Sequence, residues 1–518
     1  MPDKDAFARL VKDSYTFKGE SFRIGTAMID GEVVAGADIF MPLKTMNRHG
    51  LIAGATGTGK TKTLQLIAEA LSDASVPVLL MDIKGDLSGI AAAGSANKAV
   101  AERIAHIGGD YKPTAFPVEL MTLSNEKGVR LRATVTEFGP ILLSKILALN
   151  STQEGLVSLI FKYCDDNKMP LLDLKDFIKV LQYISNEGKK EIEQSYGKIA
   201  TTSTGTILRK VIELQQQGAD MFFGEPSFEI DDLMRISDDG RGVINVLRVT
   251  EMQSRPKLFS NFMLQMLAEL YATLPEAGDV DKPKLVMFID EAHLVFDEAT
   301  TALLDQIETV IKLIRSKGVG IFFCTQNPQD VPAGILSQLG LKVQHALRAF
   351  TAADRKTIKQ AAENYPETEF YKTESLLTQL GIGEALITAL NEKGIPTPLV
   401  HTMLVPPRSR MDVLTDSEMD ALIDQSKLVK KYASDENRES ACEILTSKLE
   451  EAAQKSEQQK ESAKPAARPE KSTLEKVLEN PVTRQIGRTA ASVITRSLLG
   501  ALGLGGRSSS RRKSNSWF

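Results

Sequence analysis

Leu51 to Thr63 reads LIAGATGTGKTKT, and this stretch decides the fold. An apolar run with the character of a strand leads into Gly54-Ala55-Thr56-Gly57-Thr58-Gly59-Lys60-Thr61-Lys62, and the helical pattern Leu64, Ile67, Ala68, Leu71 follows. The glycines open backbone conformations closed to other residues, so that successive N–H groups turn inward onto phosphate oxygens. Lys60 is spaced to reach the β- and γ-phosphates and Thr61 to offer its hydroxyl to Mg²⁺. The helix behind them presents its positive end to the same anion. A glycine-rich turn before an ordinary helix would not bring strand, lysine and hydroxyl into register. The expectation is a site for ATP and Mg²⁺ over Gly54 to Lys62.

A second stretch adds hydrolysis. Lys284-Leu-Val-Met-Phe-Ile-Asp290-Glu291-Ala292-His293 is a continuous apolar run ending in two acids. Such a run suits a strand buried on both faces of a parallel sheet, with its carboxyl end at the ligand crevice. Asp290 is expected to hold the Mg²⁺ shell, directly or through water, and Glu291 to act as general base on the attacking water. Binding without hydrolysis would not need Glu291.

The remaining composition mostly excludes. A chain of 518 residues exceeds one ordinary core, so at least two structural units are expected. A net charge of −4 gives no global nucleic-acid footprint, and any such contact must be local. Lys189, Lys190, Lys198, Arg209 and Lys210 form the one internal basic cluster worth naming, and read as a solvated face. Cys164, Cys324 and Cys442 have no metal-ligand spacing and read as reduced thiols. The N-terminus is charged throughout, and no apolar run reaches the roughly 20 residues of a spanning helix, so a soluble cytoplasmic protein is expected.

Changes of period divide the chain. Residues 1–47 hold short alternating stretches broken by Asp30-Gly31 and Gly36, the signal of a small β-rich, barrel-like segment. Residues 48–136 begin an α/β core with strands at the phosphate loop and at Val76 to Asp82. Residues 137–220 carry helical periodicity and read as an insertion. Residues 221–406 resume the core with strands at Gly242 to Val249, Leu285 to Asp290, Gly320 to Thr325 and Val343 to Ala349, then a hairpin from Gly383 to Leu404. This alternation predicts an open, mostly parallel sheet covered by helices. Residues 407–483 read as a charged helix and linker, and 484–518 as a basic amphipathic tail.

Two further residues bear on the chemistry. Gln326 ends the run Ile321 to Thr325, where an amide can sense the γ-phosphate or orient water. Arg315 ends the preceding helix, placed by this reading near the same edge, and is either a surface charge or an N–H fork inserted into a neighbour's site.

The set GATGTGKT, MDIKGDLSG, VMFIDEAH, IRSKGVGIFFCTQNPQDVP and ALRAFTAADRK resembles the HerA branch of the FtsK/HerA superfamily of ring-forming DNA-translocating ATPases. The layout is most similar to YjgR-like proteins with a HerA-like helicase domain, over about residues 20–406. The resemblance implies a RecA-like P-loop core. It also implies that Asp82 joins Glu291 near metal and water, that Gln326 is the polar sensor, and that Arg315 is an arginine finger acting in trans. Arg348 is a second inter-subunit candidate. The implied assembly is a homo-oligomeric ring, a hexamer, acting on DNA; a nuclease partner is not specified. The alternative is a nucleotide-hydrolysing regulatory or scaffold protein that threads no DNA.

Beyond Glu479 the chain has no acidic residue, while Arg484, Arg488, Arg496, Arg507, Arg511, Arg512 and Lys513 gather around Ile486, Val493, Ile494, Leu498, Leu499, Leu502 and Leu504. Such a basic amphipathic helix can lie on an anionic membrane, cover a protein groove, touch nucleic-acid phosphates or dock on its own chain.

Overall fold

In the computed structural model, residues 3–278, 280–297, 299, 301–433 and 438–462 are described. The chain divides into two compact units, Met1–Arg132 with Pro226–Asp435, and Ala133–Glu225 with Glu436–Phe518. The expectations for the 484–518 tail, and for the linker beyond 462, lie outside the described residues.

The first unit is built on a sheet of twelve strands. They are β1 (Ser21–Ile29), β2 (Glu32–Pro42), β3 (Gly50–Ala53), β4 (Val78–Asp82), β5 (Val118–Thr122), β6 (Val129–Arg130), β7 (Ile244–Arg248), β8 (Leu285–Ile289), β9 (Val319–Thr325), β10 (Leu341–Gln344), β11 (Glu384–Thr388) and β12 (Val400–Leu404). Their order is β2-β1-β12-β11-β10-β3-β9-β8-β4-β7-β5-β6. From β10 to β6 every pairing is parallel, whereas β2, β1, β12, β11 and β10 pair antiparallel. The doubly buried runs are what the apolar sequence foretold: every residue of β4, β8 and β9 is buried. Phe288 and Phe322 stack between β8 and β9 with ring centroids 5.0 Å apart. Gly50 makes room for this packing, since a Cβ there would fall 2.3 Å from the Phe322 ring.

Three features differ from the sequence reading. The N-terminal hairpin is no separate barrel: β1 pairs with β12 in the register Gly25↔Leu404, so its hydrogen bonds are spent extending the main sheet. A helix, Lys4–Ser14, precedes it and buries Phe7 and Val11. Phe7 packs against Phe370 and Tyr371 at centroid distances of 5.1 and 5.8 Å, and the Tyr15 hydroxyl donates to the Pro398 carbonyl at 2.7 Å. The strand β5, VELMT, was hidden by Glu119, a buried acid whose partner Arg235, at 2.7 Å, lies far away in sequence.

The third difference concerns the segment after residue 406. It first crosses the helix Lys60–Asp73, where the Glu69 carboxylate accepts the N–H groups of Arg408 and Ser409 at 2.8 and 3.0 Å. The helices Asp416–Gln425 and Lys427–Tyr432 stay with the first unit, whereas Ala441–Ser462 belongs to the second.

That second unit holds the expected helical insertion, with helices Val135–Ile146, Ser151–Asp166, Leu174–Ser185, Lys189–Tyr196 and Thr201–Gln216. Reciprocal capping boxes, Thr134 with Glu137 and Asn150 with Gln153, satisfy the free N–H groups that open the first two. Asp176 ties the later segment to the insertion by accepting the Cys442 N–H at 2.9 Å. Among the described residues no helix is long and apolar enough to cross a membrane.

Because Phe7 is fully buried between two rings, Phe7→Ala is expected to cost about 3–5 kcal/mol by loss of burial plus cavity. Urea denaturation followed by the fluorescence of the sheet unit checks this. A midpoint equal to wild type would mean that the N-terminal helix is not part of the cooperative core.

Candidate active site

Three adjacent parallel strands, β10, β3 and β9, carry the phosphate loop at their carboxyl ends. Gly54 donates its N–H to Thr325 O at the end of β9 at 3.2 Å, and Ala55 donates to Ala346 O beyond β10 at 2.8 Å. Gly54, Gly57 and Gly59 have φ of 153°, 78° and 117°. At Gly54 the crowding is as decisive as the angle, because a Cβ would lie 2.5 Å from the His345 Cβ. The Thr58 hydroxyl braces the turn on Ala55 O at 2.7 Å. The helix Lys60–Asp73 starts directly from the loop. The buried Lys60 ammonium donates to Gly54 O at 2.6 Å and Ala55 O at 3.2 Å, while burial and the nearby Lys84 charge depress its pKa. A cation held under so much desolvation gains from a polyanion laid on the loop. Thr61 is half-buried in the first helical turn.

The acids stand two strands away, at the carboxyl end of β8, with β9 between them and the loop. Asp290 is buried, and its Oδ2 has no hydrogen-bond partner among the described residues. Burial pushes its carboxyl up to about 6, against the pull of Lys84 and with the push of the Glu291 charge. An unpaired buried carboxylate oxygen is costly unless a cation or proton meets it. Asp290 and the Thr61 hydroxyl therefore suit a divalent cation bound together with phosphate.

Glu291 has a left-handed backbone with φ 46°, a conformation costing about 1–2 kcal/mol for a residue with a Cβ. Lys84 pairs with its Oε1, and His293 Nδ1 lies 3.2 Å from Oε2. Burial pushes this carboxyl up, but the Lys84 contact and the charges of His293 and Lys60 outweigh burial and hold it below its ordinary value. Glu291 is thus ionised and paired with Lys84.

The other expected residues fall in different places. Gln326 follows β9 and is exposed between the loop and the acids. The turn after it is pinned by Asp330, which accepts from Thr325 Oγ1 at 2.5 Å and Asn327 N at 3.0 Å. Asp82 stands at the end of β4, beside β8, but its oxygens face its own loop: Oδ1 accepts from Gly85 N at 2.7 Å and Asp86 N at 3.1 Å, and Oδ2 from Leu87 N at 3.1 Å. Its place is beneath the loop that carries Lys84 rather than at metal and water. Lys62 directs its ammonium to the Met411 carbonyl, which leaves its backbone N–H for phosphate.

Arg315 corrects the expectation that it lies near the same edge. It sits in the turn Arg315–Lys317 at the amino end of β9, across a 7-residue strand from Gln326, roughly 20 Å at about 3.3 Å per residue. There it lines a cavity of about 400 Å³ with Lys44, Arg48 and Lys312. Arg348 is exposed after β10, two residues past the Ala346 carbonyl that holds the loop.

Two residues of the site were missed in the sequence. His345 is buried behind the loop, and its Nε2 lies 2.8 Å from the Thr63 hydroxyl. Burial, assisted by the Lys60 charge, lowers its pKa to about 4 and keeps it neutral. Lys84 had a signal, a cation two residues past a buried strand end, but nothing local pairs it with Glu291.

Fold and site together define a P-loop nucleoside-triphosphate hydrolase: a glycine loop on one parallel strand, paired acids two strands over and a polar side chain on the strand between. Residues 29–509 match the family described as Helicase HerA-like C-terminal, and the chain belongs to that family. It is similar to the DNA double-strand break repair helicase HerA of Sulfolobus acidocaldarius, 21% identical over 390 residues that cover 73% of this chain and 69% of the relative. It is also similar to the DNA import protein CedB of the same organism, 24% identical and covering 69% of this chain and 52% of CedB. Among solved structures, the bacterial conjugative coupling protein TrwBdeltaN70 is 13% identical with a TM-score of 0.49, covering 79% of this chain and 94% of the other. VirB4 of Thermoanaerobacter pseudethanolicus is 15% identical with a TM-score of 0.47, covering 78% and 99%.

Asp82 generates a pH prediction. Burial, partly offset by the Leu87 N–H and reinforced by the Asp86 charge, raises its pKa from 3.8 to about 7. The folded state then holds the proton more tightly than the unfolded chain, so this group's contribution to stability is full below pH 3.8 and lost as pH rises toward about 7. Asp82→Asn keeps an acceptor for the loop amides and should flatten that part of the stability profile. An unchanged slope in denaturation series across pH 4–7 would show that Asp82 does not carry it.

Proposed function

We propose that the chain is an Mg²⁺-dependent ATPase that assembles into a ring, a hexamer, and moves nucleic acid. The observation that carries the chemistry is the convergence of Lys60, the unpaired Asp290 Oδ2 and the strained Glu291 at the carboxyl ends of β3 and β8. Gly54 to Lys62 bind the triphosphate through backbone N–H groups and Lys60. Thr61 and Asp290 would hold Mg²⁺, whose charge would offset that of the phosphates. Gln326 orients a water on the γ-phosphate, and Glu291 takes its proton as the bond to phosphorus forms and the bond to the leaving ADP oxygen breaks.

Assembly is supported by the place of Arg315. At the amino end of β9 it is remote from its own phosphate loop, which lies at the carboxyl ends of the strands, so any part it plays in catalysis is played in a neighbouring subunit. The nucleic-acid part of the reading is supported by the family and by relatives named for DNA repair and DNA import. A cytoplasmic location accords with the lack of a spanning helix among the described residues.

Lys60→Ala should lose tight ATP binding. Glu291→Gln should retain ATP binding and turn over at least about 100-fold more slowly, the usual worth of a general base. Phosphate release and nucleotide titration check both, and equal turnover by Glu291→Gln and wild type would remove Glu291 from the mechanism.

Arg315→Ala should keep nucleotide affinity and solution mass yet lose turnover, and mixing it with Lys60→Ala protein should restore part of it. Full activity in a strictly monomeric preparation would exclude the action in trans. Stimulation of wild-type turnover by double-stranded DNA, in particles of ring mass, supports translocation. DNA-indifferent hydrolysis would favour the regulatory alternative.

A further inference from the structure

Lys84 has two possible anionic partners, and the structure shows only one of them engaged. The loop that carries it is fixed from below by the three N–H bonds to Asp82, so the element free to move is the lysine side chain itself. That side chain is 33% exposed, whereas the Glu291 side chain it pairs with is 6% exposed and bound to a strained backbone. Lys60, held on the Gly54 carbonyl, is close enough for the two ammonium groups to disfavour each other, and among the described residues no carboxylate pairs with Lys60 as Glu291 pairs with Lys84. With its Oε1 paired to Lys84 and its Oε2 3.2 Å from His293 Nδ1, the Glu291 carboxylate spends part of its charge on these neighbours, which weakens it as an acceptor for the proton of a water.

We infer that Lys84 is a nucleotide-sensing residue that holds Glu291 idle and transfers its ammonium to the terminal phosphate of bound ATP, freeing the carboxylate for water. The inference rests on the ATPase reading and adds a residue to it. A terminal phosphate offers more negative charge and more acceptor oxygens than one carboxylate, and would relieve the repulsion between Lys60 and Lys84 by standing between them. ADP lacks that group, so the diphosphate leaves Lys84 on Glu291. Hydrolysis thereby returns the base to its idle state without any movement of the backbone.

The test titrates fluorescent ATP and ADP analogues, without and with Mg²⁺, into wild type, Lys84→Met, Lys84→Arg, Glu291→Gln and the Lys84→Met/Glu291→Gln double variant. Lys84→Met should weaken ATP binding about tenfold or more while changing ADP binding less than about twofold, because only one charged contact is lost. Lys84→Arg should recover part of the preference for ATP. Glu291→Gln should bind ATP more tightly than wild type, since Lys84 no longer has a competing partner, and the double variant should lose that gain. ADP affinity serves as the control for folding. Equal weakening of both nucleotides, or none, would overturn the inference. Affinities are read without turnover, so normal hydrolysis by Glu291→Gln would sink the general-base assignment separately.

Discussion

The site depends on how closely the backbone at Gly54 passes its neighbours. Its N–H is held by the carbonyl of Thr325 at the end of β9, the next N–H by that of Ala346 beyond β10, and a methyl group in place of its hydrogen would collide with His345. Three parallel strands thus fix the entry to the phosphate loop before any ligand is considered. The loop is rigid because the sheet is, and the sheet is rigid because the strands beside it are buried along their whole length. The Thr63–His345 contact extends the same fixation to the helix that follows.

On that frame the protein sets charges against one another at some cost. Asp82 and Asp290 are carboxyls whose burial raises their pKa, and Glu291 stands in an unfavourable backbone region. Each gains from a specific partner: backbone N–H groups for Asp82 and the Lys84 ammonium for Glu291. Asp290 Oδ2 is buried with neither a hydrogen-bond donor nor a paired cation among the described residues. The pattern follows a division of labour, in which the fully satisfied acid shapes a loop and the unsatisfied one is suited to a cation.

Much of this was legible in the sequence, because a doubly buried parallel strand is written as an uninterrupted apolar run, and the phosphate loop has a spacing that few other structures need. The strands ending at Ala53, Asp82, Ile289 and Thr325 are each of this kind. What could not be read depends on partners distant in the chain. Glu119 hides β5 until Arg235 is seen beside it, and the N-terminal hairpin reads as a small barrel until β12 supplies its edge. Arg315 was misplaced because periodicity ends a helix without saying which edge of the sheet it meets. Lys84 and His345 were overlooked because their roles lie in contacts to Glu291 and Thr63, residues 207 and 282 positions away.

The most direct test of the account is a crystal structure with Mg²⁺ and a non-hydrolysable ATP analogue. The account predicts the triphosphate over Gly54 to Lys62, with the Lys60 ammonium moved off the Gly54 carbonyl and the cation between Thr61 and Asp290. A nucleotide bound elsewhere, with Lys60 still on Gly54 and Asp290 Oδ2 still unpartnered, would contradict it.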